Sequence, residues 1–148
     1  MKKSSRSTFV ALLIFLAIDA VIILPRFGGK KEIIPWRTDF AAARAEAART
    51  HRPLFLDFTA SWCGPCQTMR RTAWTDPAVA AAMADLVPVQ IDIDQQGDLA
   101  RKFGISSIPA LLLLDERGNV LKEQAGLLSP DKFIAWLKSK IERRASGT

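Results

Sequence analysis

Cys63 and Cys66, in "SWCGPCQ", are the only cysteines in the chain. With two residues between them, a disulfide can open and close with little backbone movement. The apolar run "PLFLDFTA" precedes the pair and a helical pattern follows it, so both sulfurs fall at a strand-to-helix junction. Cys63 would then stand at the helix N-terminus, where unpaired backbone N–H groups and the positive end of the helix dipole favour a thiolate. Pro65 lies in the first turn, where its missing N–H is not needed, and it stiffens the loop that begins at Gly64. Trp62 borders the reactive sulfur and offers an apolar contact to a docking polypeptide. Reversible thiol–disulfide exchange fits this arrangement. Half of a shared zinc site and an inert structural disulfide fit the spacing as well. Two cysteines are too few for a disulfide framework or, alone, for a closed four-ligand zinc site.

Other residues join the argument through their surroundings. Asp57 interrupts an apolar strand six residues before Cys63. An unpaired carboxylate there is costly, so its pKa is expected to rise, making it a proton carrier for Cys66 near neutral pH. The competing reading is a strand-end acid in water. Pro109 offers no N–H and leaves the backbone of Ile108 to pair with an extended substrate segment. His51 is the only histidine, and in "RTHRP" it reads as a solvated helix end rather than as a base for a cysteine. No metal and no cofactor are expected.

The elements that must position these residues follow from pattern. Asp39 is a candidate N-cap for an Ala-rich helix over 40–50, and Pro53 follows its end. "PLFLDFTA" suits a central strand covered on both faces. A helix over 63–71 comes next, then a short one in "TDPAVAAAMAD" capped by Thr75 or Asp76. "LVPVQIDID" alternates as a strand, and "DLARKFGI" is a short helix ending at Gly104. "ALLLLD" and "VLKEQAG" form a hairpin, and Ser129-Pro130 starts a closing helix with Phe133, Ile134, Leu137 and Ile141 on one face. The order α β α α β α β β α implies an α/β fold, a mixed sheet covered by helices on both sides.

The net charge of +6 is unevenly spread. Residues 1–37 carry seven Lys/Arg and two acids, a net of +5, and the remainder carries fourteen against thirteen, a net of +1. No long basic run appears after the N-terminal segment, which argues against nucleic acid. That segment has Lys2, Lys3 and Arg6, then an apolar run over 9–24 broken only by Asp19. Sixteen helical residues span about 24 Å, slightly short of a hydrocarbon core of about 30 Å. No small-x-small cleavage site follows, so residues 1–26 read as one N-terminal transmembrane helix, a membrane anchor or uncleaved signal in contact with lipid. A carboxylate such as Asp19 near mid-membrane costs about 2.5–3.5 kcal/mol on insertion scales, which the surrounding Leu, Ile, Val and Phe offset. Flanking charges are nearly balanced and only weakly favour a cytoplasmic N-terminus with the domain outside. Residues 27–35 read as a linker and 36–148 as the folded domain.

"DFTASWCGPC" resembles the active-site segment of the thioredoxins, a family whose lowered cysteine pKa also serves as a general illustration of the motif. "SIPALLLLD" and Gly126 in "EQAGLLS" match two further family stretches in order and spacing. Within the superfamily, "TAWTDPAVAAAMAD" is similar to the C-terminal thioredoxin-like domain of DsbD-type thiol:disulfide interchange proteins. The resemblance covers about residues 36–142 and implies a three-layer thioredoxin-like fold with a central mixed sheet. It implies Cys63 as nucleophile, Cys66 as resolving cysteine, a redox-active Cys63–Cys66 disulfide and Asp57 as proton acceptor. It also implies a substrate-binding surface of Trp62, Gly64, Pro65, Ile108 and Pro109. X–Pro bonds are cis in only about 5–6% of cases, so a cis Ile108–Pro109 bond is an implication of the resemblance alone. One position departs: Gln90 stands where the family keeps a lysine near the buried acid. The expected protein is a single-pass oxidoreductase of the cytoplasmic membrane with its domain on the periplasmic or extracytoplasmic side. Its partners would be disulfide-containing proteins, apocytochromes among them, and a membrane or extracytoplasmic thiol donor. The alternatives are an oxidase or isomerase running in the opposite direction, and a non-catalytic module that binds polypeptide or metal.

Overall fold

The computed structural model describes residues 31–139. Helix α1 (Phe40–Thr50) leads to strand β1 (Leu54–Thr59), helix α2 (Gly64–Arg71), a 3-10 turn (Ala73–Thr75) and helix α3 (Pro77–Ala82). Strand β2 (Val87–Asp92), helix α4 (Gly97–Lys102), the hairpin of β3 (Ala110–Leu114) and β4 (Val120–Ala125), and helix α5 (Pro130–Lys138) follow. The sheet order is β2-β1-β3-β4. β1 runs parallel to β2 and antiparallel to β3, and β3 runs antiparallel to β4, which gives the expected mixed sheet.

Local chemistry sets the boundaries. Asp39 is extended and its carboxylate accepts the Ala42 N–H at 3.0 Å, so α1 starts at Phe40. It ends on His51, which is exposed and takes the left-handed conformation with φ of 53°. Of the two candidate caps for the next short helix, Asp76 takes the role, accepting from the N–H groups of Ala78 at 2.7 Å and Val79 at 3.4 Å. Thr75 instead closes the 3-10 turn before it. The expected alternation in β2 fails at Val87, Pro88 and Val89, which are all buried. Arg37 bridges the outer edge of β2 there, donating its N–H to the Pro88 carbonyl and accepting from the Gln90 N–H.

The sheet has a core on each face. Leu54, Leu56 and Phe58 of β1 join Val87, Val89 and Ile91 beneath Ala43 and Ala47 of α1. Alternate β1 positions face the other side. There Phe55 joins Met69 of α2, Trp74, Val79 of α3 and Phe133 of α5, and Ile134 and Leu137 pack against the same cluster. Phe55, Trp74 and Phe133 meet edge to face, with ring centroids 5.2–6.0 Å apart. Ile34, inside the stretch expected to be linker, is buried in this same core. The apolar run over 9–24 and Ile141 lie outside the described residues. Among the described residues no helix is long and apolar enough to cross a membrane.

Candidate active site

β1 delivers Asp57, the turn that leaves it delivers Cys63, and the first turn of α2 delivers Cys66. The Cys63 N–H donates to the Ala60 carbonyl at 3.2 Å, and Cys63 is the extended N-cap of α2. Its Sγ accepts the Cys66 N–H at 3.2 Å, a capping bond made by sulfur where a hydroxyl or carboxylate is usual. Cys63 and Cys66 are joined as a disulfide with their Cα atoms 5.3 Å apart. Exposure does not distinguish the two, at 4% for Cys63 and 2% for Cys66; position on the helix does. Gly64 and Pro65 form the first turn, and a side chain at Gly64 would meet open space. Ala60 packs with the cysteines, and Ile93 and Ile108 close over them.

Trp62 is 65% exposed, and its indole N–H donates to the Asp94 carboxylate at 2.9 Å. The ring is therefore held in one orientation beside the disulfide although it is solvated. Sequence reasoning missed Asp94, because nothing local links it to a residue thirty-two positions earlier. The Ile108–Pro109 bond is cis. The Pro109 carbonyl accepts the Gly126 N–H at 2.8 Å, with Gly126 at φ of 88°, a conformation that side chains other than glycine's rarely adopt. That bond ties the loop beside the disulfide to the end of β4.

Asp57 is buried at 2% exposure and lies directly across from Gln90 in the β1–β2 register. Gln90 Nε2 donates to its Oδ2 at 3.2 Å. The position that departs from the family pattern is thus the residue in contact with the acid. Burial pushes the Asp57 carboxyl up to about 7, against opposing hydrogen bonds from Gln90 and Trp74. A neutral amide brings no charge to offset the desolvation, so the upward direction prevails. The Glu32 carboxylate adds to the rise and the Arg70 guanidinium opposes it. Arg70 is four residues after Cys66, on the same face of α2. Glu32, Arg70 and Trp74 carried no sequence signal for this role. Thr59, also on β1, has a buried hydroxyl without a hydrogen-bond partner among the described residues. His51 caps α1 and is not part of this constellation.

Residues 35–116 match the family model described as thioredoxin-like. The DsbD thiol:disulfide interchange protein of Ralstonia nicotianae is 38% identical over 112 residues, which covers 72% of this chain and 17% of that protein. Mitochondrial thioredoxin of Bos taurus is 33% identical over 89 residues, covering 60% of this chain and 52% of that protein. Thioredoxin of Rhodospirillum rubrum is 30% identical over 102 residues, covering 68% of this chain and 94% of that protein. The chain therefore spans about a sixth of the DsbD protein, about half of the mitochondrial thioredoxin and nearly all of the bacterial one. Among solved structures, the oxidised mitochondrial thioredoxin 3 of Saccharomyces cerevisiae superposes with a TM-score of 0.57 at 26% identity, over 71% of this chain and 93% of that one. A mutant thioredoxin of Halobacterium salinarum gives 0.58 at 25% identity, over 78% of this chain and 97% of that one.

Proposed function

The chain belongs to the thioredoxin-like family, and from that premise we propose that it is a membrane-anchored, extracytoplasmic thiol–disulfide oxidoreductase that reduces disulfides in partner proteins. The observation that carries this reading is the Cys63–Cys66 disulfide at the N-terminus of α2, with a backbone N–H already on the Cys63 sulfur. In the reduced chain that N–H and the helix dipole stabilise a Cys63 thiolate. The thiolate attacks one sulfur of a partner disulfide; the partner S–S bond breaks, and its departing sulfur takes a proton. Cys66 then gives its proton to the Asp57 carboxylate and attacks the Cys63 sulfur. The mixed disulfide breaks, the partner leaves as a dithiol, and Cys63–Cys66 is oxidised. Two electrons have passed from chain to partner, and a membrane or extracytoplasmic thiol donor must return them.

Trp62, Gly64, Pro65, Ile108 and Pro109 form the proposed docking surface. The Trp62 ring is exposed and oriented by Asp94, and the space around Gly64 admits a partner backbone. Reduction as the direction rests on the Gly-Pro pair between the cysteines, and anchoring on the apolar run over 9–24. The relatives named as thiol:disulfide interchange proteins support exchange with protein substrates.

Trapping tests the mechanism. Cys66→Ser should accumulate mixed disulfides through Cys63, and Cys63→Ser almost none; equal accumulation by both would overturn the division of roles. The potential of the Cys63–Cys66 couple tests the direction. A value near thioredoxin's, about −270 mV, supports reduction, whereas one near about −120 mV would make the protein an oxidant.

A further inference from the structure

We infer that Trp62 and Asp94 together make the docking surface selective for partner segments with an arginine or lysine beside the reactive disulfide, an inference that rests on the proposed exchange with protein partners. Trp62 directly precedes Cys63, and Asp94 follows Ile93, which closes over the two cysteines. Their side chains meet at the site: the indole N–H donates to Asp94 Oδ2 at 2.9 Å, and both residues are exposed. The donor is neutral, so this bond fixes the carboxylate without cancelling its charge. Among the described residues no ion pair includes Asp94.

The charges on the surrounding segments are one-sided. Residues 60–69, 103–114 and 124–130, which supply the other docking residues and Gly126, carry no charged side chain. Residues 92–97 carry two, and both are acids, Asp92 and Asp94. Asp92 is taken up by its own turn, where its carboxylate accepts from the Asp94 N–H at 2.9 Å and the Gln95 side-chain amide at 3.1 Å. The cations next to these segments are engaged elsewhere. Arg70 pairs with Glu32, Arg101 pairs with Asp98, and the Lys102 ammonium lies over the Phe40 and Phe103 rings. Lys132 follows Asp131 in the first turn of α5. Asp94 is left as the uncompensated charge on the docking surface. An exposed indole face attracts a cation through its quadrupole, and the carboxylate at its edge attracts the same cation by charge. An arginine or lysine beside the partner's reactive cysteine meets both groups, whereas a glutamate there meets repulsion.

A pair of disulfide peptides that differ only in an arginine or a glutamate beside one cysteine tests this. At low ionic strength the reduced full-length chain should favour the arginine peptide by roughly tenfold in kcat/KM, with most of the difference in KM. Salt at about 0.5 M should shrink the ratio. Asp94→Asn keeps an acceptor for the indole N–H and removes the charge, so the ratio should fall to about twofold. Asp94→Lys should invert it. An Asp94 that only orients the ring would change both peptides alike, and a ratio in Asp94→Asn equal to the native one would overturn the inference. Equal rates for the two peptides with the native chain would overturn it too, while leaving disulfide exchange standing. Failure of both peptides to exchange would overturn that reading and this inference with it.

Discussion

Burial governs the proton affinity of Asp57, and that makes its contribution to stability depend on pH with a definite sign. Its folded value is about 7 against an ordinary value of 3.8. Between these values the folded chain binds a proton that the unfolded chain does not, so stability falls as pH rises from about 4 to about 7 and then levels off. Above about 7, folding buries a charge. Asp57→Asn removes that penalty while keeping an acceptor for Gln90. The variant should be more stable than the native chain at pH 8, by an amount on the order of 3–4 kcal/mol, with the gain vanishing near pH 4. Urea unfolding of the oxidised protein across that range measures it. If Asp57 accepts the Cys66 proton as proposed, the same variant should also slow mixed-disulfide resolution. Stability and rate move in opposite directions at this residue. An unchanged pH dependence of stability would mean that water reaches the carboxylate.

Elements hold the site by their ends. Cys63 caps α2, Gly126 at the end of β4 holds the Pro109 carbonyl, and Asp94 just past β2 orients Trp62. α1 offers a test of end chemistry away from the site. His51 adopts φ of 53°, which is strained for a residue with a Cβ, and it closes a helix at whose end the backbone N–H groups of His51 and Arg52 both donate to the Ala47 carbonyl. His51→Gly should therefore stabilise the domain by about 0.5–1 kcal/mol, part of the relief being offset by the freer unfolded glycine. A higher denaturation midpoint at unchanged slope is the expected result. Thiol exchange should be unaffected, since His51 lies outside the cysteine site. Loss of stability would show that the imidazole makes a contact that glycine cannot replace.

At the scale of the whole molecule, the folded unit and the N-terminal apolar run are separated by only a few residues, and the first of the folded ones already engage the core. Ile34 is buried, and Glu32 reaches Arg70 on α2. If residues 9–24 anchor the chain, the domain sits close to the bilayer. Full-length protein in membrane fractions should then resist extraction by carbonate or salt, and a reporter fused after residue 148 should be active only outside the cytoplasm. Recovery of a soluble protein beginning near residue 25 would replace the anchor with a cleaved signal peptide.

Order, type and approximate ends of the elements were legible in the sequence because they depend on local physics. Asp39 and Pro53 bracket α1, an apolar run broken only by Asp57 makes β1 central, and a single pair of cysteines with two residues between them marks its own junction. Asp57 was legible for the same reason: a carboxylate in an apolar strand demands an explanation wherever it folds. What surrounds Asp57 was not. Gln90 reaches it through the parallel β1–β2 register, Trp74 comes from the 3-10 turn, and Glu32 meets Arg70 of α2 across thirty-eight residues. The bond between Trp62 and Asp94 likewise spans thirty-two residues. Each of these is a meeting of side chains from separate elements. No local propensity encodes such meetings, because the free energy that brings the elements together comes from burying Phe55, Trp74 and Phe133 in a shared core, and the polar contacts follow from where that core places them.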